Sequence, residues 1–274
     1  MMVEALVYFF VPALIGVLIG IASGLLGIGG GTVMVPIFRL AFGMSATMST
    51  ATSLFAIIPT SISGAISHVK GKTCIPALGI AAGLGGACLS PVGVWLAQLS
   101  PDWLVMLAAA LIIGYSAINM FKKAFKLRPA GQPAEGADAA APTADDSSLS
   151  RKQLLQGAAI GLVAGLASGY VGVGGGFIMV PLMLSIIGIP MRKASGTSLI
   201  AVMILAIPGV IEQGIIGNIN YLAGIAIVIG TIPGAVIGAR LVTKVPERTL
   251  RLLFGCFLIV AAVMLVLNEV GIFG

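Results

Sequence analysis

Charged residues are scarce in this sequence. Only 9% of its 274 residues are Asp, Glu, Lys or Arg, whereas about 25% is usual in a soluble globular domain. Hydrophobic residues make up 58% of the chain, and the mean hydropathy is +1.13. A soluble fold of this length keeps too large a surface to hide so many apolar side chains. The composition therefore excludes a soluble globular protein and predicts the lipid bilayer as its partner.

Residues that carry catalysis or bind metals are also few. The chain has one histidine, His68, and three cysteines, Cys74, Cys88 and Cys256, inside apolar runs. An odd number of cysteines without a CxxC pair argues against disulfides and zinc, so we expect three buried small residues. An intramembrane hydrolase would need a nucleophile with a positioned base, or metal ligands. We predict that the chain is not an enzyme, and that it has no metal and no cofactor.

The net charge of +6 has a membrane explanation. Lys and Arg accumulate in the cytoplasmic loops of membrane proteins, so we expect no nucleic-acid partner. The basic residues that flank residues 127–150 place that segment in the cytoplasm. Fourteen of the fifteen basic residues then face the cytoplasm, Arg39 being the exception. We predict a multi-pass protein of the bacterial inner membrane with both termini on the extracytoplasmic side.

The chain repeats itself at an offset of 145 residues. The motif SGLLGIGGG at 23–31 returns as SGYVGVGGG at 168–176, and MVP at 34–36 returns as MVP at 179–181. Between residues 16 and 60, 17 of 45 positions are identical in the second copy. This self-similarity identifies a duplicated unit.

The duplication divides the chain into a first membrane repeat (1–126), a flexible linker (127–150) and a second membrane repeat (151–274). The linker is rich in Pro, Ala, Gly, Ser and Asp and lacks apolar periodicity. Most apolar runs of the repeats are long enough to cross a ~30 Å core, but the runs that follow the glycine clusters reach only about 16 Å. The runs cover about 5–26, 32–42, 45–67, 74–97 and 103–121, then 153–171, 177–187, 193–213, 220–241 and 248–269.

Equivalent loops of the two halves differ in charge. Lys70 and Lys72 correspond to uncharged residues 215 and 217, whereas Arg192 and Lys193 correspond to uncharged residues 47 and 48. Loops of opposite charge are typical of an inverted repeat, a common architecture of transporters. We therefore predict an all-α, polytopic membrane helical bundle of two inverted repeats. Each repeat has a glycine-broken helix pair plus three transmembrane helices; the pair forms either a re-entrant hairpin or two tilted spans.

The glycine clusters predict breaks in the helices near the middle of the membrane. Each glycine destabilises a helix by about 1 kcal/mol, and irregular backbone is tolerated at that depth only inside protein or beside a cavity. New helices are expected to begin near Thr32 and Phe177, and a helix N-terminus attracts anions. The alternative is close helix packing alone. The spacing is not GxGxxG and no P-loop Lys follows, so it does not indicate a nucleotide site.

Hydroxyl residues follow each break at equivalent positions, and they either bind an oxyanion or bond to the carbonyl four residues back. Arg39 either attracts anions or extends to a headgroup. His68 is expected at the inner surface, in an interfacial role or in coupling to protons. The predicted substrate-binding residues are Gly27, Gly29, Gly30, Gly31, Thr32, Thr52 and Ser53, with Gly172, Gly174, Gly175, Gly176, Phe177, Thr197 and Ser198.

The paired glycine motifs, each followed by Val-Pro, resemble those of the TauE/SafE family of membrane proteins, often described as sulfite exporters. The resemblance covers both halves and leaves out only the linker. It implies a secondary transporter or facilitator that exports sulfite, an organosulfonate or a related small anion. A non-transporting scaffold or sulfur-relay partner is the alternative. The sequence leaves open the cargo, the coupling ion and the oligomeric state.

Overall fold

A computed structural model of the chain describes residues 2–126 and 150–269, with side chains for 12–125 and 150–267. The predicted linker lies outside the described residues, except for Ser150. That residue caps the first helix of the second half, because its hydroxyl accepts a hydrogen bond from the Lys152 amide and its own amide donates to Gln153. This pair of bonds, a capping box, fixes where that helix begins.

Ten helices account for the regular structure of the described residues, and each coincides with one predicted apolar run. In the first half these are α1 (Met2–Leu26), α2 (Gly31–Phe42), α3 (Ala46–Lys70), α4 (Pro76–Leu99) and α5 (Asp102–Lys126). In the second half they are α6 (Arg151–Val171), α7 (Gly176–Leu182), α8 (Met191–Ile216), α9 (Tyr221–Leu241) and α10 (Glu247–Glu269). A π-helical turn, Met183–Ile187, extends α7.

The helices form a polytopic membrane bundle, as predicted. Among the described residues, seven helices are long and apolar enough to cross a membrane: α3, α4, α5, α6, α8, α9 and α10. The short apolar helices α2 and α7 follow the glycine clusters. Large apolar side chains such as Leu111 and Ile215 cover the outside of the bundle, where they are more than half exposed. Such a surface requires a hydrocarbon solvent.

Small residues at every fourth position bring two pairs of helices into backbone contact. In α6, a methyl group added at Gly161 would lie 1.9 Å from the Ala82 carbonyl oxygen of α4. In α9, one added at Gly230 would lie 1.8 Å from the Ala13 carbonyl oxygen of α1. Because hydrocarbon gives helices no hydrophobic reason to associate, such close backbone packing stabilises their pairing. The interpretation of scattered glycines as packing positions therefore fits these helices.

The two halves bond to each other reciprocally. The Asn220 amide donates to Thr52 Oγ1 at 3.0 Å, and the Ile75 amide donates to Thr197 Oγ1 at 2.9 Å. The two bonds are equivalent under the repeat, because residue 220 corresponds to residue 75 and residue 197 corresponds to residue 52, each at an offset of 145. Within each half, Asp102 caps the start of α3 at the Ala46 amide, and Glu247 caps α8 in the same way at residue 191. The repeat seen in the sequence is thus also a repeat of contacts.

The equivalent helices α3 and α8 cross the centre in opposite directions. Leu199, near the start of α8, packs beside Gly64, near the end of α3, while Leu54 packs beside Gly209 at the opposite ends. This is the arrangement that an inverted repeat requires. The inversion of the two halves across the membrane, and the orientation of the helices in it, stay predictions.

The expectation of three buried cysteines is wrong. Cys74 is half-buried, and Cys88 and Cys256 are exposed on the outer surface of the bundle. A thiol behaves as a small apolar group, so it can face lipid from a transmembrane helix without being covered by protein.

Candidate functional site

Two glycine breaks, 27–30 and 172–175, connect α1 to α2 and α6 to α7. The two breaks have similar left-handed backbone angles. The angle φ is +75°, +83° and +86° at Gly27, Gly29 and Gly30, and +72°, +85° and +68° at the equivalent residues 172, 174 and 175. Such left-handed angles are readily adopted only by glycine. The breaks and the helix starts at Gly31 and Gly176 are therefore as predicted, and the glycines are required by the backbone.

The two breaks lie against each other at the centre of the bundle. A methyl group added at Gly31 would lie 2.6 Å from the Val173 carbonyl oxygen, and one added at Gly176 would lie 2.4 Å from the Gly27 carbonyl oxygen. Residues 23–32 and 171–177 are all buried. The structure thus brings the predicted glycines of both halves together, in a closed arrangement.

Helices α3 and α8 each present one face to the breaks. Ile57 of α3 and its equivalent, Val202 of α8, both contact the two breaks. A methyl group added at Gly29 or at Gly174 would lie within 3.5 Å of each of these side chains. Positions four residues apart share a helix face, so Ser53 and Ser61 flank Ile57 on α3. A methyl group at Gly29 would lie 3.5 Å from Ser61 Oγ.

Three buried hydroxyls without a hydrogen-bond partner surround the first break. They belong to Ser23, Thr32 and Ser61, whose side chains are fully buried. A methyl group at Gly30 would lie 3.7 Å from Ser23 Cβ, and Thr32 is the second residue of α2. An unsatisfied buried hydroxyl destabilises a protein by about 1–3 kcal/mol, so a polar ligand that accepted hydrogen bonds from all three would stabilise this place. Ser23 and Ser61 are not among the residues predicted from the sequence, because their positions beside the break depend on the packing of α1, α2 and α3.

The second break is more apolar than the first. Phe177 replaces Thr32, and an alanine at position 206 replaces Ser61; both replacements are fully buried. The first amide of α7, at Gly176, donates to the Gly174 carbonyl at 2.8 Å. Ser168, the equivalent of Ser23, keeps an unpartnered hydroxyl there. The backbone symmetry of the two breaks is therefore not matched by their chemistry.

The four hydroxyl residues predicted to bind the substrate have different contacts. The hydroxyls of Thr52 and Thr197 accept hydrogen bonds from backbone amides of the other half. Ser198 donates to the Gly27 carbonyl at 2.7 Å and so ties α8 to the first break. Ser53 is fully buried and its hydroxyl has no hydrogen-bond partner. Of the four, Ser53 has the hydroxyl available to a ligand in this closed arrangement.

Arg39 lies away from the breaks. It is half-buried in the last turn of α2, eight residues after Gly31, which corresponds to about 12 Å along the helix. A positive charge in the last turn of a helix is favourable for the helix dipole. The structure therefore does not place Arg39 beside the hydroxyls of the first break.

His68 is buried inside the protein, although the sequence suggested an interfacial position. Its side chain is fully covered. Nε2 lies 2.7 Å from the Gly24 carbonyl oxygen, and Nδ1 lies 2.7 Å from Thr73 Oγ1. The helix end is at the surface, but the ring turns inward onto α1. The ring of His68 thus contacts α1 at Gly24, about one helical turn before the first break. This contact joins residues 44 positions apart, so the local sequence does not predict it.

The first break is suited to an oxyanion. The opening amides of an α-helix have no intrahelical acceptor and carry the positive end of its dipole. Here they belong to the twelve-residue α2, and Ser23, Thr32 and Ser61 add hydroxyl donors beside them. A small anion with several oxygens can accept hydrogen bonds from both sets.

Comparison with known proteins gives a consistent result. Residues 12–265 match the model of the family described as "Sulfite exporter TauE/SafE". The chain is 28% identical over 97% of its length to the probable membrane transporter protein YunE of Bacillus subtilis, covering 99% of that protein. It is also 28% identical to YdhB of the same organism, over 85% of this chain and 90% of that one. No solved structure matches the chain.

Proposed function

Because this chain belongs to the TauE/SafE family of sulfite exporters, we propose that it moves sulfite or an organosulfonate out of the cytoplasm across the bacterial inner membrane. It is an integral membrane protein and a membrane transporter, not an enzyme. The substrate is held where the two glycine breaks meet, and mainly by the first break.

The observation that carries this proposal is the set of unpartnered hydroxyls at the start of α2. Ser23, Thr32 and Ser61 are buried without a hydrogen-bond partner at a helix N-terminus that attracts negative charge. A cation would find no carboxylate at this place, because the segments 23–32 and 53–61 contain no Asp or Glu. A sulfite or sulfonate group offers three oxygens to these donors.

Export of an anion needs no ATPase. An interior-negative potential favours the exit of each negative charge by about 2.3 kcal/mol per 100 mV. With 127–150 in the cytoplasm and both termini outside, the two breaks lie near the midplane. Since residues 23–32 and 171–177 are buried, the site opens only when the halves rock against each other.

Anion flux into proteoliposomes tests the proposal. Purified protein is reconstituted, and the uptake of sulfite, sulfoacetate, sulfate and chloride is followed with and without an imposed membrane potential. We expect saturable movement of sulfite or sulfoacetate that outpaces chloride and responds to the potential. Absence of flux for every anion, from protein shown to be folded, would contradict the proposal and favour the scaffold alternative.

A further inference from the structure

The ring of His68 joins three parts of the molecule at one point. It stands in the last turn of α3, reaches the Gly24 carbonyl of α1, and bonds to Thr73 in the loop before α4. On α8, Gly196 leaves room for it, since a methyl group there would lie 2.8 Å from Cγ and from Nδ1. Any change in the charge of this ring acts directly on the segment that leads into the first break.

The hydrogen bonds around His68 can be satisfied in two protonation states. A carbonyl only accepts, so Nε2 carries the proton that bonds to Gly24. In the neutral ring, Nδ1 accepts from the Thr73 hydroxyl. In the protonated ring, Nδ1 donates to Thr73 Oγ1, whose own proton turns to the His68 carbonyl oxygen 3.3 Å away. Neither state leaves a ring nitrogen or the hydroxyl without a partner.

The other half of the protein fills the equivalent positions with groups that do not titrate. Gln213 and Asn218 stand 145 residues after His68 and Thr73. Asn218 Nδ2 donates to Gln213 Oε1 at 2.8 Å, and the same backbone bond closes both helix ends, at 3.0 Å in the first half and 3.1 Å in the second. An amide therefore suffices to close this helix end, and a histidine is present in one half only.

Thr73 connects the ring to the basic end of a mainly apolar groove. A groove of about 810 Å³ between α3 and α9 is lined at one end by Thr73, Lys70 and Arg240. A proton entering at this end would meet the Thr73 hydroxyl, which bonds to Nδ1, before it met the ring.

No carboxylate bonds to the ring, whose partners are Thr73 and Gly24. The charged or titratable groups on the elements packed around it are Lys70, Lys72, Cys74, Arg192, Lys193, Glu212, Tyr221 and Arg240. Residues 12–26, α3, the 71–75 segment and α9 contain no Asp or Glu, and Glu212 of α8 is 16 residues beyond Gly196, about 24 Å along the helix. The carboxylate of Glu247 bonds to the Met191 amide, five residues before Gly196 and about 8 Å from it along α8, but it is already paired with Arg251. An anion at the first break would add a negative charge that is not already paired.

We propose that His68 is a proton-binding site coupled to the anion site, so that protonation of its ring strengthens anion binding at the first break. The inference rests on the proposed function and adds a coupling ion to it. Thermodynamic linkage makes the effect reciprocal: a proton on His68 favours the anion, and the anion favours the proton. His68 does not contact the anion. Its charge changes the affinity of the first break for the anion through the Gly24 carbonyl.

The substitution His68→Gln tests the coupling, because it introduces the residue of the other half. Sulfoacetate uptake is measured between about pH 5.5 and 8.5, a range in which histidine titrates and the charge of this substrate is constant. We expect the half-saturating concentration of the unchanged protein to be about tenfold lower at the acidic end, a typical coupling. In His68→Gln it should vary less than twofold, with the melting temperature unchanged. An unchanged pH profile in the variant would overturn the proposal.

A second measurement needs neither flux nor a stable variant. His68 is the only histidine, so tag-free protein labelled with ¹⁵N-histidine gives one imidazole signal. Adding sulfoacetate at a fixed pH should increase the protonated fraction, whereas chloride should not. A signal that ignores sulfoacetate, from protein that transports it, would refute the coupling and leave the proposed function standing. Lack of transport would refute the proposed function itself.

Discussion

Replacing Gly30 and Gly175 together with leucine is expected to abolish anion flux. Both glycines cap the short helices with left-handed backbone angles. A methyl group would lie 3.0 Å from Ile19 Cγ2 at Gly30 and 2.9 Å from the Ala164 carbonyl oxygen at Gly175. Leucine side chains would be forced against Ile19 of α1 and Ala164 of α6 and would shift the opening amides of α2 and α7. The measurement is sulfite uptake by proteoliposomes with equal amounts of inserted protein.

The far ends of the same helices provide the matched control. Gly43 and Gly188 also adopt left-handed angles, +60° and +78°, but nothing lies within 4 Å of an added methyl group. The double substitution Gly43→Leu and Gly188→Leu imposes similar backbone strain, about 1–2 kcal/mol per residue, away from the breaks. It should keep most of the flux. Equal flux in the two double variants would show that the breaks do not bind the substrate.

Removing two hydroxyls from the first break is expected to weaken sulfite binding strongly. The variant Thr32→Val with Ser61→Ala leaves the shape of the site almost unchanged. A hydrogen bond to a charged group contributes about 1.5–3 kcal/mol, and 1.4 kcal/mol is a factor of ten. The half-saturating concentration of sulfite should therefore rise by at least about 100-fold. The melting temperature should stay the same or rise, because both hydroxyls are buried without a partner.

Thr60 is the control for this second prediction. It is adjacent to Ser61, but its hydroxyl bonds to the Ala56 carbonyl oxygen at 2.7 Å and to Thr231 Oγ1 at 2.5 Å. The substitution Thr60→Val should lower the melting temperature and leave the half-saturating concentration within about twofold. If Thr32→Val with Ser61→Ala lost stability instead of affinity, the hydroxyls would be structural and the site would lie elsewhere.

The helices and the breaks could be predicted because their causes are local. Apolar length decides which segments cross a bilayer, and a cluster of glycines weakens a helix by about 1 kcal/mol for each glycine. Because the sequence is duplicated, each pattern occurs twice. The ten predicted apolar runs coincide with the ten α-helices of the described residues. The sequence also predicts a short helix over 177–187. There the structure has α7, extended by its π-helical turn at 183–187.

The partners of the polar side chains could not be predicted, because they come from distant segments. Ser61 reaches Gly29 across the bundle, and His68 reaches Gly24 from the end of another helix. Thr52 and Thr197 look like ligands in the sequence, yet they hold the other half by its amides. Position 32 and its equivalent, Phe177, were both selected, but their chemical difference has a meaning only once both are seen buried at the breaks.

The most direct test of the account is to locate a bound oxyanion. Selenite is the selenium counterpart of sulfite, and its anomalous scattering marks its position in crystals of the protein. The account predicts one selenium peak within hydrogen-bond distance of the Thr32 and Ser61 hydroxyls and the opening amides of α2, displaced by excess sulfite. A peak confined to the second break near Phe177, or none at a selenite concentration that saturates transport, would contradict it.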